Sequence, residues 1–428
     1  MEEARITMSR TPNSETGPIC IVISPHNRPV SATRATYTND EIIDGKVHLQ
    51  PSLRPSRVTV AFIGQTSIKV APKNGRHHVH NNTAKVPLFS EQLEIDEPDC
   101  RIVPNGHVAI PCSFRFPSTA HLESEAHYSE HPLFEHTPHH TLPASYEYYG
   151  SIGHQIVEYY IEAAFITGEG SCSDQKVRQY ITFRPSTVHS PSDIDAAFLP
   201  STPQKISCRT HRLNPENKAT KFSMRRFIHQ LTHHDVQESS ALFAIGTRIP
   251  SSVYAQAPLP VTVSLQHLRR SVSLRDPPPI YLRRIEVALF EKLRVRLPDK
   301  SLLARSDNVD EEHHRERPLL DGRFPAPGKV IHAGMGLHEL GDTEIRVVPS
   351  FKTYGMALTY RIEVKLWIEC AGEKYEIPAH KGDIEILPEL RRPSDAQDDQ
   401  MEDYGGIDDV SNLAAVDEKL LTPPPAYE

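Results

Sequence analysis

The chain lacks the features of a membrane-spanning, secreted or zinc-binding protein. It contains no run of about 18 apolar residues, and its start, Met1-Glu2-Glu3-Ala4-Arg5, has no apolar core of a signal peptide. Its six cysteines form no C-x-x-C pair, which predicts buried thiols in a reducing compartment. These are Cys20, Cys100, Cys112, Cys172, Cys208 and Cys370. We therefore expect a cytoplasmic chain without a transmembrane segment.

Glycine is scarce relative to proline, with 20 glycines against 37 prolines. Proline at this level disfavours long helices and favours strands joined by stiff turns. Hydrophobic residues make up 38% and mean hydropathy is -0.45, so part of the 428 residues belongs to loops or tails. That length allows two ordinary domains. A net charge of -8 argues against a general nucleic-acid binder.

Recognisable catalytic motifs are also missing. The sequence has no P-loop, no G-x-S-x-G elbow and no H-E-x-x-H. Gly334-Met335-Gly336 is an isolated G-x-G that we interpret as a loop. We expect a protein that is not an enzyme, with no catalytic residue and no cofactor. A hydrolase on an unrecognised sandwich is the alternative, and it would need a nucleophile and a base within hydrogen-bond reach in a deep pocket.

Histidine, in contrast, is abundant, with 24 residues and two clusters. The clusters are Arg76-His77-His78-Val79-His80 and His136-Thr137-Pro138-His139-His140. Zinc sites usually add cysteine or carboxylate ligands, whereas both clusters lie in polar stretches without cysteine. We therefore predict solvated loops and no metal site, with pH sensing as the other reading, since histidine titrates near neutrality.

Alternating apolar and polar residues recur along most of the chain. Period-2 alternation predicts strands with one face in the core and one in water. Many short strands with proline and glycine turns predict β-sandwiches. The clearest segments are Ile19–Ile23, Val58–Gly64, Ser67–Val70, His107–Pro117, Val157–Phe165, Ile285–Val295, Glu344–Val348 and Leu358–Cys370. The sequence thus predicts an all-β fold with two tandem immunoglobulin-like β-sandwiches.

Composition suggests where these domains begin and end. We expect a disordered N-terminal tail over residues 1–17, a first sandwich over 18–185, a linker over 186–220, a second sandwich over 221–392 and an acidic disordered tail over 393–428. The linker is rich in Ser, Thr, Pro and Asn, and residues 221–244 fit a short amphipathic helix equally well. The last segment carries ten Asp/Glu and one Lys, too polar to form a core.

The end of the acidic tail carries the most informative motif, Pro424-Pro425-Ala426-Tyr427. It matches P-P-x-Y, the ligand of WW domains, in which prolines already held in polyproline II lose little entropy on docking. With 37 Pro and 15 Tyr, chance alone yields about 0.1 such matches per chain. A position in a free tail favours a working ligand. We predict that Pro424, Pro425 and Tyr427 bind a WW domain.

Two segments are candidate phosphorylation sites. Arg269-Arg270-Ser271-Val272-Ser273 resembles a basophilic kinase site, which makes Ser271 and Ser273 candidates. Thr422 adjoins the WW-binding motif, and a phosphate there would add nearly two negative charges beside the docking prolines. For each segment the alternative is an ordinary surface side chain.

Several segments together resemble the alpha-arrestin class of trafficking adaptors. Val47-His48-Leu49 with the strand Arg57–Gly64 is similar to the early hairpin of arrestin N-domains. Leu88-Phe89 through Phe114-Arg115-Phe116-Pro117, with Pro104-Asn105-Gly106-His107 between, resembles the family's L-T-P-G … F-x-F-x-L-P stretch. Leu142-Pro143-Ala144-Ser145-Tyr146-Glu147, then Val157–Ala163, resembles its L-P-P-S-F … V-x-Y-x-I-x-A stretch.

The resemblance is looser over residues 221–390, where Val348-Pro349-Ser350-Phe351 and Tyr360–Val364 fit. It implies two arrestin-like domains in a cytosolic adaptor that recruits a WW-domain HECT-type ubiquitin ligase to membrane transporters or receptors. Their ubiquitination and endocytosis would follow at the plasma membrane or endosomes. A cargo-sorting scaffold of the retromer-subunit type, independent of a ligase, is the alternative.

Overall fold

The computed structural model describes thirteen stretches of the chain, and almost all of them are β-structure. They are residues 19–23, 35–50, 55–70, 82–96, 108–121, 131–150, 153–167, 175–187, 197–199, 202–213, 239–297, 311–336 and 343–391. Twenty-two strands lie within these stretches, with a single 3-10 turn at His211–Leu213. The prediction of an all-β fold is confirmed.

The first β-sandwich is built from nine strands in two sheets. The strands are β1 (Ile19–Ile23), β2 (Thr36–Tyr37), β3 (Ile42–Leu49), β4 (Pro55–Val70), β5 (Asn82–Asp96), β6 (Val108–Arg115), β7 (Tyr146–Gly150), β8 (Gly153–Thr167) and β9 (Gln175–Phe183). A three-stranded sheet has the order β1-β3-β6. A six-stranded sheet has the order β2-β9-β8-β4-β5, with β7 paired to β8.

Aromatic side chains join these two sheets across the first core. Phe62 of β4 lies 5.8 Å, centroid to centroid, from Phe114 of β6 and 4.9 Å from Phe116. Phe116 also stacks on Phe183 at 4.4 Å. Buried rings at such distances gain contact energy beyond the area that they remove from water. Apolar residues alternate with polar ones along β4 and β6 because one face of each strand packs its side chains into this core.

Thirteen further strands form the second β-sandwich and its connections. They are β10 (Ser186–Thr187), β11 (Gln204–Arg209), β12 (Ser240–Arg248), β13 (Ser252–Tyr254), β14 (Thr262–Arg270), β15 (Ile280–Val295), β16 (Glu311–Arg323), β17 (Lys329–Val330), β18 (Met335–Gly336), β19 (Phe351–Lys352), β20 (Met356–Cys370), β21 (Glu373–Leu387) and β22 (Glu389–Leu390). A four-stranded sheet, β11-β12-β14-β18, faces a seven-stranded sheet. The latter has the order β13-β21-β20-β15-β16, with β17 on β15 and β19 on β20.

Contacts between the four- and seven-stranded sheets close the second core. Phe243 of β12 meets Tyr375 of β21 edge-on at 6.5 Å, and Thr247 Oγ1 donates a hydrogen bond of 3.3 Å to the carbonyl of Ala379. The long strands β15 and β20 pair over their whole length, from Ile280 with Cys370 to Val295 with Met356.

The two sandwiches form one compact unit that ends at Leu390. The short strand β10, which follows the first sandwich, pairs in parallel with β22 at the end of the second. Residues 1–17 and the whole of the expected tail, 393–428, lie outside the described residues. Within the described part of the chain, no helix is long and apolar enough to span a lipid bilayer.

The interpretation of Gly334-Met335-Gly336 as a loop is wrong for its last two residues, because buried Met335 pairs with Val263 and Met335–Gly336 forms the short strand β18. Three further details differ from the sequence expectations. The expected linker, 186–220, contains β11, whose inward-facing Cys208 makes it a strand of the second sandwich. The residues on either side of Cys208 are polar and mostly exposed, so composition alone does not indicate a strand here. The segment Glu344–Val348 is not a strand and makes one isolated bridge, Pro258 with Glu344. Part of the helix alternative, residues 240–244, is strand β12.

Gly64 also differs from expectation, because it lies inside β4 at a register shift and does not end a strand. Its neighbours across the sheet are Phe89 and Tyr159. A Cβ at position 64 would lie 2.5 Å from Phe89 Cε1 and 2.8 Å from Tyr159 Cε1. Glycine is needed here because two buried rings occupy the space of a side chain.

We expect Gly64→Ala to lower the free energy of unfolding by about 1–3 kcal/mol, since overpacking forces buried rings from their rotamers. Denaturant titration measures this loss. Gly246→Ala in β12 is the matched control, because its Cβ would approach Ser264 Oγ no closer than 3.3 Å and should cost less. Equal losses for the two variants would contradict the steric argument.

Candidate functional site

The residues predicted to bind a WW domain lie outside the described part of the structure. Pro424, Pro425 and Tyr427, together with the candidate phosphorylation site Thr422, belong to the segment after Arg391. The prediction for these four residues therefore stays a prediction.

The other two candidate phosphorylation sites lie on the turn after β14, where Val272 between them is fully exposed. The Ser271 hydroxyl accepts a 2.8 Å hydrogen bond from the backbone N–H of Ser240 and lies 3.1 Å from the Ser240 hydroxyl. Ser273 is exposed, with its Oγ 3.0 Å from that of Ser239. A phosphate on Ser271 would break the turn, so the geometry favours Ser273 of the two.

Of the two histidine clusters, only His136, His139 and His140 lie in described residues. No group of three His, Cys, Asp or Glu suited to hold a metal ion occurs among the residues that the structure covers. His136 and His139 are exposed, whereas His140 is buried and meets the ring of Tyr354 edge-on at 5.9 Å. The prediction of a solvated loop is therefore wrong for His140, because this loop packs on the second sandwich.

The most distinctive polar cluster lies between the two sandwiches and centres on Glu291 of β15. Its carboxylate is only 2% exposed. One oxygen accepts a 2.8 Å hydrogen bond from the hydroxyl of Tyr146 on β7, in the first sandwich. The other accepts a hydrogen bond of 2.9 Å from Nε of Arg317 on β16, and Nη2 of the same guanidinium forms an ion pair with that oxygen at 2.9 Å. A buried charge is tolerated when it is paired and hydrogen-bonded in this way.

Aromatic contacts surround this cluster. The Tyr146 ring packs edge-on against Phe351 at 5.7 Å, and Tyr148 lies 4.3 Å from the ring of His313 on β16. Burial, followed by the negative charge and hydrogen bond of Glu291, raises the pKa of Tyr146 well above its ordinary range. The phenol therefore stays protonated and remains a hydrogen-bond donor to Glu291.

A second set of contacts joins the loop 131–145 of the first sandwich to the segment 351–354 of the second. The backbone N–H of Glu135 donates to the carbonyl of Thr353 at 3.1 Å. Phe134 lies under the guanidinium of Arg296, 4.6 Å from Cζ to ring centroid. Arg296 Nε in turn donates to the carbonyl of Tyr354 at 2.5 Å. A cation–π contact shielded from water is a strong one.

Glu135 also shapes its own loop. Its Oε1 accepts hydrogen bonds from the backbone N–H groups of His136 and Thr137 and from the Thr137 hydroxyl, at 2.8–3.0 Å. Partial burial alone would raise the pKa of Glu135, but these hydrogen bonds outweigh it and lower the pKa to about 2. The carboxylate thus stays charged and fixes the loop against the second sandwich.

The outer face of the seven-stranded sheet carries a shallow groove of about 610 Å³ around Trp367. Arg323, Arg284, Trp367 and Glu376 form one row across four neighbouring strands. Arg284 stacks over the tryptophan, 4.5 Å from Cζ to ring centroid, and binds Asp321 through two hydrogen bonds. The cations around this groove are balanced by carboxylates, so no ligand of one charge is favoured.

Sequence reasoning missed Glu291, although a signal for it existed. The alternation Ile285, Val287, Leu289, Leu293, Val295 places position 291 on the buried face of β15. A carboxylate in a core register demands a partner. The partner itself, Tyr146, lies 145 positions earlier and carries no local sign of the contact.

Comparison with known proteins adds no relative to this picture. No protein-family model matches the chain, and no curated protein aligns with it significantly.

We expect Tyr146→Phe to lower the free energy of unfolding by about 1–3 kcal/mol, because it leaves one buried oxygen of Glu291 without its donor. Chemical denaturation of the full chain measures the effect. Tyr149→Phe is the control. The Tyr149 side chain is 86% exposed, so loss of its hydroxyl should change the free energy of unfolding by less than about 0.5 kcal/mol. Similar losses in both variants would show that the interface hydroxyl contributes nothing specific.

Buried histidines should make the fold sensitive to acid. Burial lowers the pKa of His140 from 6.5, although its hydrogen bond to Thr137 and the charge of Glu135 act in the opposite direction. The unfolded chain therefore binds a proton that the folded chain does not, and stability falls as pH drops below about 6.5. Burial lowers the pKa of the partly buried His313 and of the buried His380 in the same direction.

Unfolding free energies measured between pH 7 and pH 5 test this sign. His140→Gln should reduce the slope of stability against pH, because the variant lacks one of the side chains that take up a proton when the chain unfolds in acid. His139→Gln, at an exposed position on the same loop, should keep the wild-type slope. A slope unchanged by His140→Gln would mean that His140 does not contribute to the pH dependence of the unfolding free energy.

Proposed function

We propose that the chain is an adaptor of the alpha-arrestin type, which recruits a WW-domain HECT-type ubiquitin ligase to membrane transporters or receptors. Ubiquitination and endocytosis of this cargo would follow. The proposal places the protein in the cytoplasm, with recruitment to the plasma membrane or endosomes. Its energetic role is to raise the local concentration of ligase around cargo.

One observation supports the proposal above others. Pro424-Pro425-Ala426-Tyr427 follows a folded unit of two β-sandwiches that ends at Leu390, and a segment rich in Asp and Glu separates the two. A ligand motif that follows the sandwiches in the sequence can serve one partner, while the sandwiches would serve cargo. An adaptor needs such separate parts of the chain, one to bind cargo and one to bind the ligase.

The packed interface between the sandwiches adds indirect support. A scaffold that presents cargo and ligase together works best when its parts keep a fixed geometry, because simultaneous engagement depends on distance and orientation. The contacts of Tyr146, Glu291 and Arg317 hold the two sandwiches together in that way. A single P-P-x-Y copy predicts modest affinity without avidity from a second copy.

Titration of WW domains from HECT-type ligases against the full chain tests the ligase link. We expect micromolar binding that Tyr427→Ala weakens by about 30-fold, since truncating an anchor residue typically costs about 2 kcal/mol. Tyr404→Ala is the matched control, because Tyr404 lies in the same acidic segment without flanking prolines. Equal binding by the wild type and Tyr427→Ala, or none, would favour a ligase-independent sorting scaffold.

A further inference from the structure

Two buried thiols face each other at the end of the second sandwich. Cys208 lies on β11 in the four-stranded sheet, and Cys370 is the last residue of β20 in the seven-stranded sheet. Both residues are fully buried. The Cys208 thiol donates a hydrogen bond of 3.5 Å to the backbone carbonyl of Cys370. The pair therefore bridges the two sheets through the core.

The strands hold these thiols in place through independent pairings. Cys208 lies opposite Ala241 of β12, and Cys370 lies opposite Ile280 of β15. A disulfide requires two cysteines whose backbones already lie close, because its geometry tolerates little deviation. A thiol that is hydrogen-bonded to the backbone of the other cysteine, with both residues on paired strands, meets this condition far better than scattered surface cysteines do.

The environment makes the two sulfurs chemically unequal. Interaction with the side chain of Cys370, and then with that of Tyr375, lowers the pKa of Cys208 although burial opposes it. The interaction with Cys208, together with burial, raises the pKa of Cys370. The thiolate is the reactive form of cysteine. Cys208 is therefore the nucleophile of the pair and Cys370 the partner.

The third buried cysteine in the described part of the chain, Cys112, has a different environment. Cys112 is buried alone on β6, and burial followed by the charge of Asp44 raises its pKa to about 11. The raised pKa keeps the Cys112 thiol protonated, and a thiol is a weaker nucleophile than a thiolate. Cys112 thus provides a matched internal control.

We propose that Cys208 and Cys370 form a reversible disulfide that joins the two sheets of the second sandwich under oxidising conditions. The oxidant is a peroxide. The Cys208 thiolate attacks one peroxide oxygen and becomes a sulfenic acid, while the other oxygen leaves as water after protonation. The Cys370 sulfur then displaces the hydroxyl from the Cys208 sulfur. It loses its own proton, which completes a second water molecule, so two thiols and one peroxide give one disulfide and two waters.

The disulfide would restrain strand β11. β11 is an edge strand of its sheet and the first strand of the second sandwich after the connection from the first. A bridge from β11 to β20 closes a chain segment of 162 positions, and long closed loops restrict the unfolded chain most in the entropic model. The oxidised protein should therefore unfold at a higher temperature than the reduced protein.

Peptide mapping of the full chain tests the proposal directly. The reduced protein is treated with hydrogen peroxide, unfolded, alkylated and digested with trypsin without reductant. We expect the peptides Ile206–Arg209 and Leu366–Lys374 to appear as one linked species that reduction separates. Recovery of both peptides in alkylated form, or linkage of either to a different cysteine, would overturn the proposal.

Thermal unfolding with and without peroxide provides the second measurement. We expect oxidation to raise the midpoint by several degrees in the wild type and in Cys112→Ala, and this gain to vanish in Cys208→Ala and Cys370→Ala. Peptide mapping on the wild type keeps the test valid if either alanine variant folds poorly. A linked species without a higher midpoint would leave the bond in place but overturn its proposed effect on the sheets.

Discussion

The fold depends on one buried carboxylate at the junction of two β-sandwiches. Glu291 is held by a hydroxyl from the first sandwich, Tyr146, and a guanidinium from the second, Arg317. Removing one partner of a buried charge costs far more than the net value of the pair, because the remaining charge is left uncompensated. The first sandwich thus supplies, through Tyr146, one of the hydrogen bonds that the buried carboxylate of Glu291 in the second sandwich needs. That requirement fixes how the two sandwiches pack.

Other contacts follow from this packing. The loop 131–145 can bury Phe134 and His140 only because the second sandwich presents Arg296 and Tyr354 to it. The pairing of β10 with β22 joins the start of the second half to its last strand. The two sandwiches therefore form a single scaffold. Such a scaffold suits the proposed adaptor, in which recognition of cargo and of ligase belong to different parts of one chain.

The sequence predicts the fold class well because alternation is a local property. Ile285, Val287 and Leu289 reveal the buried face of β15 without reference to any other strand. Long-range chemistry is invisible to such a pattern. Tyr146 and Glu291 are 145 positions apart, Cys208 and Cys370 are 162 apart, and only the paired sheets bring each couple together. Composition alone does not reveal β11, where one inward-facing cysteine is flanked by polar residues. The terminal motif shows the reverse case, since P-P-x-Y is recognised from sequence and does not depend on the fold.

Differential scanning calorimetry of the full chain tests the central claim most directly. If the shared polar cluster makes the two sandwiches one cooperative unit, heating produces a single transition whose calorimetric and van't Hoff enthalpies agree. Two resolved transitions, each with the enthalpy of one sandwich, would contradict the account, because they would show that the junction around Glu291 does not couple the folding of the two halves.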